Sequence, residues 1–155
     1  AQLAAERGLP YAFASHFAPR LLHQALAIYR ERFRPSTVLA EPYVMVGVPV
    51  IAAPTDDEAA FLATSVFQRV LGILHGDRRG LPPPMADFMA GLHPQERAGI
   101  ADFLGAAVIG SPESVRAGFA ALHAATQADE FILVCDIFDP DLRLRSLDIA
   151  AAAVA

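Results

Sequence analysis

Apolar residues occur along the chain in two patterns, short continuous runs and longer segments with apolar positions three or four residues apart. The continuous runs are rich in β-branched and aromatic residues, which is typical of strands covered on both faces. They lie at 11–15, 43–53 and 131–136. The spaced segments predict amphipathic helices. These cover Pro19 to about Phe33, 55–74, 112–125 and Arg143 to the end, with shorter helical pieces at 85–90 and 94–104.

Local signals define several element boundaries. Thr55 and Glu58 have the spacing of a capping box at a helix start. Ser111-Pro112-Glu113 offers an N-cap hydroxyl, a proline at the first helical position and a first-turn acid. Pro49 has no N–H for a sheet ladder, so a bulge or a local break in pairing is expected there. Residues 107–110 are expected to be a very short strand or an extended connection.

The alternation of strands and helices indicates an α/β fold with a parallel sheet and right-handed crossovers. Three strands alone would leave two unpaired edges, so we expect part of a larger sheet or barrel. The first eight residues, A-Q-L-A-A-E-R-G, are typical of a helix interior followed by a glycine stop at Gly8. The sequence is therefore expected to be a fragment of a longer protein.

Composition removes several classes of function. The 155 residues suit one domain, taken as 1–155, and 54% of them are hydrophobic. The net charge is −5 with no basic cluster, which argues against a nucleic-acid groove. No apolar run approaches the roughly 20 residues that span a bilayer, and no leader is visible, so a cytoplasmic protein is expected. The single Cys135 forms no internal disulfide and is expected to be an inert thiol inside the last strand.

Several motifs, in order along nearly the whole chain, resemble one family. The first is G-L-P-Y-A-F-A-S-H-F-A-P, followed by A-L-x-x-Y-R and F-x-P-S. P-Y-V-M-V-G-V-P-V-I-A-A-P-T-D-D-E-A and L-P-P-P come next, then I-G-S-P-E-S-V-R and A-D-E-F-I-L-V-C-D-I-F-D. With these motifs the chain resembles the C-terminal half of the bacterial luciferase-like flavin-dependent monooxygenases.

The resemblance implies a partial (β/α)8 TIM barrel, comprising strands six to eight with their helices and an insertion between Gly76 and Gly110 before the last strand. It implies an oxidoreductase, a flavoprotein that uses reduced FMN and dioxygen to oxidise a small organic substrate. A separate flavin reductase would supply the FMN, and homodimers are common in the family. The family's phosphate-binding Gly-Ser-Ser-type turn would precede Ala1, so the fragment is expected to be inactive alone.

Candidate flavin contacts lie after the first strand, because barrel enzymes hold ligands at the C-terminal ends of their strands. Ser15 and His16 offer hydrogen bonds and Phe17 offers an aromatic surface, so these three residues are the predicted cofactor-binding positions. No catalytic residue is assigned, since flavin chemistry draws its reactivity from the cofactor. The spacing of the other histidines predicts no metal site.

Other polar groups are interpreted as structural. Thr55 with Glu58 and Ser111 with Glu113 are taken as helix caps, although a helix start such as Ser111 can also bind phosphate. Asp136 and Asp139 have a spacing that could serve acid–base chemistry, but the segment from Asp139 to Asp141 is more typical of a turn and cap. Arg143 and Arg145 are expected to form surface contacts or salt bridges.

Two alternatives stay open. A deazaflavin-dependent oxidoreductase of the same superfamily would use the same barrel for hydride transfer. A non-catalytic flavoprotein, or a half-barrel that acts only by association, would need no substrate chemistry. The sequence does not identify the substrate.

Overall fold

The computed structural model describes residues 1–16, 18–77 and 79–154. Helices and strands alternate along them, as the apolar pattern predicts. In chain order they are α1 (Gln2–Glu6), β1 (Tyr11–Ala14), α2 (Leu22–Arg32), β2 (Val44–Ala52), α3 (Asp56–Leu74), α4 (Pro94–Phe103), β3 (Val108–Gly110), α5 (Pro112–Thr126), β4 (Glu130–Val134) and α6 (Pro140–Val154). Short 3-10 turns lie at Pro19–Leu21 and Phe88–Gly91.

All strand pairs are parallel, and β2 is paired with each of the other three strands. The pairing with β1 runs from Tyr11↔Val44 to Ala14↔Gly47. The pairing with β4 runs from Met45↔Glu130 to Pro49↔Val134. The short strand β3 joins further along, from Val50↔Val108 to Ala52↔Gly110.

The two edges of β2 serve different neighbours. Tyr43 C=O accepts from Tyr11 N–H (2.9 Å), whereas Val44 C=O accepts from Asp129 N–H (2.9 Å). Because successive residues of a strand direct their backbone groups to opposite edges, odd-numbered residues face β1 and even-numbered residues face β4. Ala53 N–H donates to Gly110 C=O (3.1 Å), so β3 shares the β1 edge.

Pro49 falls in a gap on that edge. Pairing with β1 ends at Gly47 and pairing with β3 begins at Val50. As an odd-numbered residue, Pro49 directs its ring nitrogen toward this gap, where no ladder bond is needed. The expected break in pairing is confirmed on one edge, while the other edge continues to Pro49↔Val134 without a bulge.

Side chains complete the β4 edge of β2 where the ladder stops. Asp129 Oδ2 accepts from Val44 N–H (2.7 Å) at the start of the strand. Ser146 Oγ, on α6 and fully buried, accepts from Ala52 N–H (2.8 Å) at its end. These contacts satisfy backbone donors that would otherwise be buried without a partner.

Three boundaries differ from the sequence-based expectation. Strand β4 ends at Val134, not at Asp136, because Ser146 takes the next donor on the β2 edge. Helix α6 begins at Pro140, not at Arg143, because Asp139 Oδ1 accepts from the N–H groups of its first turn. The helical piece expected at 85–90 is wrong in place and type, and is instead the 3-10 turn at Phe88–Gly91.

Two apolar clusters hold the elements together. The first packs α1, α2, α5 and α6 on the sheet and includes the fully buried Tyr29, whose hydroxyl donates to Leu9 C=O and accepts from Tyr43 N–H. The second lies between α3, α4 and the far ends of β2 and β3, and includes Ile51, Val66 and Ile137. This second cluster positions α3 over the end of the sheet. No helix among residues 1–16, 18–77 and 79–154 is long and apolar enough to cross a membrane.

Candidate functional site

A cleft of about 760 Å³ opens beside the C-terminal ends of the parallel strands. It is bounded by strand-end residues on one side and by α3 and the end of α4 on the other. Its lining comprises His16, Pro49, Val66, Arg69, Ile73, Gly76, Arg79, Phe103, Leu104, Val134 and Asp136. Mostly apolar walls with a few polar groups are typical of a small-molecule site.

The turn after β1 brings His16 into this cleft. Ser15 is 1% exposed, and its hydroxyl donates to Gly47 C=O (2.5 Å), which ties the turn to β2. The ring of His16 lies over Gly47, where an added Cβ would be 3.1 Å from Nδ1. Glycine at position 47 therefore leaves the space that the imidazole occupies. Of the three predicted flavin contacts, His16 lines the cleft, Ser15 is buried beneath it, and Phe17 lies outside the described residues.

An ion pair crosses the cleft between α3 and the segment after β4. Arg69 Nη2 donates to Asp136 Oδ2 at 2.5 Å, with the two side chains 33% and 29% exposed. Arg69 Nε is buried and has no hydrogen-bond partner within the part of the chain that the structure describes. Asp136 is thus held by a guanidinium, an arrangement that the sequence spacing of Asp136 and Asp139 did not suggest.

Thr55 and Ser111 act as caps. Thr55 Oγ1 accepts from Glu58 N–H (3.2 Å) at the start of α3, and Ser111 Oγ accepts from Ser114 N–H (3.4 Å) at the start of α5. The amide of Ser111, which could have bound a phosphate, instead donates to Asp56 Oδ1 (2.7 Å). That bond, with the Ser114 and Ser111 hydroxyls, lowers the pKa of the Asp56 carboxyl. A carboxylate of the protein already fills this anion position.

The arginines of α6 also have structural roles. Arg143 donates through Nε and Nη2 to Ile137 C=O (2.9 and 2.6 Å). Arg145 pairs with Glu58 on α3. Asp139 caps α6, as expected for the turn that begins there. These groups hold α6 against α3 and do not line the cleft.

Neither a metal cluster nor a reactive thiol is found. Residues 1–16, 18–77 and 79–154 contain no group of three or more His, Cys, Asp or Glu side chains arranged to hold a metal ion. Cys135 lies just after β4, not inside it, and burial raises the pKa of its thiol. A raised thiol pKa lowers the thiolate fraction at neutral pH, so Cys135 is poorly nucleophilic.

A second depression, of about 670 Å³, lies outside the sheet between α5, β4 and α6. Phe119, Phe131 and Leu133 form much of its wall, together with Arg116 and His123. We call it the α5–α6 groove. It is away from the strand ends and shares no residue with the cleft.

Sequence analysis missed Arg69 and Arg79 as cleft residues. Arg69 stands three residues after Val66 and four before Ile73, which puts all three on one face of α3. A single charge on an otherwise apolar face was the available signal. The partner of Arg69, Asp136, is 67 residues away in sequence, and only the fold brings the two together.

Comparison with known proteins agrees with the resemblance. The sequence profile of the luciferase-like monooxygenase family matches residues 1–128. A luciferase-like monooxygenase of Escherichia coli K12 is 42% identical over 150 residues, which is 97% of this chain and 45% of that protein. The chain therefore spans a little under half the length of this curated relative.

Solved structures show the same partial coverage. The crystal structure of apo-MsnO8 matches with a TM-score of 0.83 and 32% identity, over 98% of this chain and 46% of the other. The oxygenating constituent of 3,6-diketocamphane monooxygenase from Pseudomonas putida, a type II Baeyer-Villiger monooxygenase in complex with FMN, matches with a TM-score of 0.65 and 23% identity, over 99% and 44%. The expected partial TIM barrel is confirmed by these matches and by the parallel sheet. The chain belongs to the luciferase-like monooxygenase family.

Proposed function

We propose that the intact protein is a flavin-dependent monooxygenase that uses reduced FMN and dioxygen to oxidise a small organic substrate. The cleft where His16, Pro49 and Val134 meet helix α3, in a chain of this family, carries the proposal. Ligands of barrel enzymes lie at the C-terminal ends of the strands, as this cleft does. The Pseudomonas putida enzyme that shares the fold is in complex with FMN. A flavin reductase is the proposed source of the reduced cofactor.

The cleft residues fit the ring system of a flavin. Its volume of about 760 Å³ lies within the range of about 300–1,000 Å³ that is usual for ligand pockets. Apolar side chains cover most of its wall, and the absence of a Cβ at Gly47 leaves His16 room to lie against β2. Arg69 and Arg79 are each paired with a carboxylate already. We therefore propose that the flavin phosphate is held by the part of the relatives' length that this chain does not cover.

The chain's own residues would position and shield the reacting groups. Reduced flavin, when bound, supplies the electrons that activate dioxygen. His16 is the proposed hydrogen-bonding group at the cleft wall, and Ser15 positions it through the bond to Gly47 C=O. Phe17 remains a proposed aromatic contact from the same turn. Phe103, Leu104 and Val134 exclude water from the cleft, which strengthens polar interactions inside it.

The test uses the intact protein, titrated with FMN while flavin fluorescence is followed. Oxygen consumption is then measured with FMN reduced by a flavin reductase. We expect saturable FMN binding, and we expect His16→Ala to weaken it by about tenfold, the effect of losing about 1.4 kcal/mol. His23→Ala is the control, because His23 lies on α2 away from the cleft.

Two results would count against the proposal. Absence of both bound flavin and reduced-flavin turnover at saturating FMN would exclude a flavin monooxygenase. Tight binding of a deazaflavin coenzyme with hydride transfer and no oxygen consumption would support the deazaflavin-dependent alternative instead.

A further inference from the structure

Arg69 is placed where a ligand in the cleft would meet it. Its helix neighbours on the same face, Val66 and Ile73, also line the cleft, so the guanidinium stands within an apolar wall. The pair with Asp136 fixes it beside the end of β4. A charged group on an apolar wall is costly unless it is paired or has a ligand to bind.

The ion pair uses only part of the hydrogen-bonding capacity of Arg69. A guanidinium has five N–H donors, and the bond to Asp136 engages Nη2. The buried Nε finds no acceptor among the described residues. A buried donor without a partner calls for an explanation such as a water or a ligand.

A second pair in the same molecule shows which part of this observation matters. Arg145 and Glu58 form an ion pair of similar exposure, and Arg145 Nε is likewise buried without a partner among the described residues. That pair lies outside the cleft. The distinguishing feature of Arg69 is therefore its place in the cleft wall, and Arg145 is its matched control.

The charges of the cleft wall favour an anion. Arg69 and Arg79 contribute two guanidinium groups, against the single carboxylate of Asp136. The Asp77 carboxylate that pairs with Arg79 is not part of the wall. A planar guanidinium with free donors is suited to a carboxylate or sulfonate, which accepts two parallel hydrogen bonds.

We propose that Arg69, held by Asp136, binds an oxyanion of the organic substrate, so that the cleft selects substrates with an apolar body and a carboxylate or sulfonate group. The proposal rests on the proposed function, because it takes the cleft as the substrate site. Arg69 is assigned to substrate binding, and Asp136 is a positioning residue that acts through it.

The test compares two fluorescent probes that have similar aromatic bodies and differ in charge. Anilinonaphthalene sulfonate is an anion, and phenylnaphthylamine is its neutral counterpart. Dissociation constants for both are measured with the intact protein, wild type and variants, after circular dichroism has shown that each variant is folded. Arg69→Gln removes the positive charge, Asp136→Asn removes the negative one, and Arg145→Gln changes the matched pair.

Opposite effects of the two cleft variants would support the proposal. We expect Arg69→Gln to weaken sulfonate binding by about tenfold, or about 1.4 kcal/mol, and Asp136→Asn to strengthen it, because a nearby like charge is removed. Neutral-probe binding should stay within about twofold of wild type in both variants, and Arg145→Gln should leave both probes unchanged. A pair that only braced the fold would give losses in both cleft variants, and that result would overturn the proposal.

Two further measurements exclude other sites. A loss of sulfonate binding in Arg116→Gln with none in Arg69→Gln would place the anion in the α5–α6 groove and overturn the proposal. Weaker FMN binding with unchanged riboflavin binding in Arg69→Gln would assign Arg69 to the flavin phosphate and also overturn it. Wild-type protein that binds no FMN would count against the proposed function, whereas the probe results test only the anion site.

Discussion

Replacing Ser146 by alanine should destabilise the protein through a single backbone donor. The Ser146 hydroxyl is fully buried and accepts from Ala52 N–H at 2.8 Å, at the point where β4 no longer covers β2. Cys135 Sγ also approaches this hydroxyl at 3.5 Å, but a thiol is a weak hydrogen-bond donor. Alanine offers no acceptor, so the Ala52 N–H would remain buried and unpaired.

The expected cost follows from that orphaned donor. Leaving a buried donor unsatisfied costs about 1–3 kcal/mol. The substitution removes one oxygen and opens little space, so cavity terms are minor. We expect Ser146→Ala to lower the free energy of unfolding by about 2 kcal/mol.

Urea denaturation of the intact protein, followed by circular dichroism, measures this change. The midpoint should fall while the m-value stays constant, which identifies a change in stability and not in the denatured state. Thr126→Val is the matched control: its hydroxyl is on a fully buried residue but donates to Leu122 C=O inside α5, so its loss strands no backbone N–H. Equal midpoints for Ser146→Ala and wild type would refute the reasoning, since Ala52 N–H would then have another acceptor.

Three other changes test the site and its surroundings. Gly47→Ala should weaken FMN binding by about tenfold, because the new Cβ would lie 3.1 Å from His16 Nδ1 and displace the ring; flavin fluorescence titration measures this. The pKa of Asp56 is lowered chiefly by Ser111 N–H, so its stabilisation is present above the unfolded-state pKa of about 3.9 and is lost as the pH falls through the lower folded value. The stability difference between wild type and Asp56→Ala should therefore shrink between neutral pH and about pH 3 in urea titrations. Burial raises the pKa of Cys135, so iodoacetamide should label it at least about tenfold more slowly in native protein than in urea, as measured by peptide mass spectrometry.

Local features of the sequence predicted most of the elements because their causes are local. The apolar runs mark β1, β2 and β4, and Thr55 and Ser111 start their helices through side-chain bonds to nearby N–H groups. Pro49 also signals a break in pairing from its chemistry alone. The errors came where a distant group decides the outcome, as when Ser146 of α6 ends the β4 ladder.

The site was predictable only in part for the same reason. The strand-end rule placed His16 in the cleft from the sequence. Arg69 and Asp136 are joined by tertiary structure, and no spacing rule connects a helix position with a loop 67 residues later. The Asp56 contact with Ser111, 55 residues away, is hidden from sequence in the same way.

Pro49 has a consequence for the hydration of the cleft. It lines the cleft wall at the gap between β1 and β3, where any other residue would present an N–H group without a strand to receive it. Such a donor would recruit a water molecule to the wall. The proline ring replaces that donor with carbon, so the strand can change neighbours there and the wall can still remain dry.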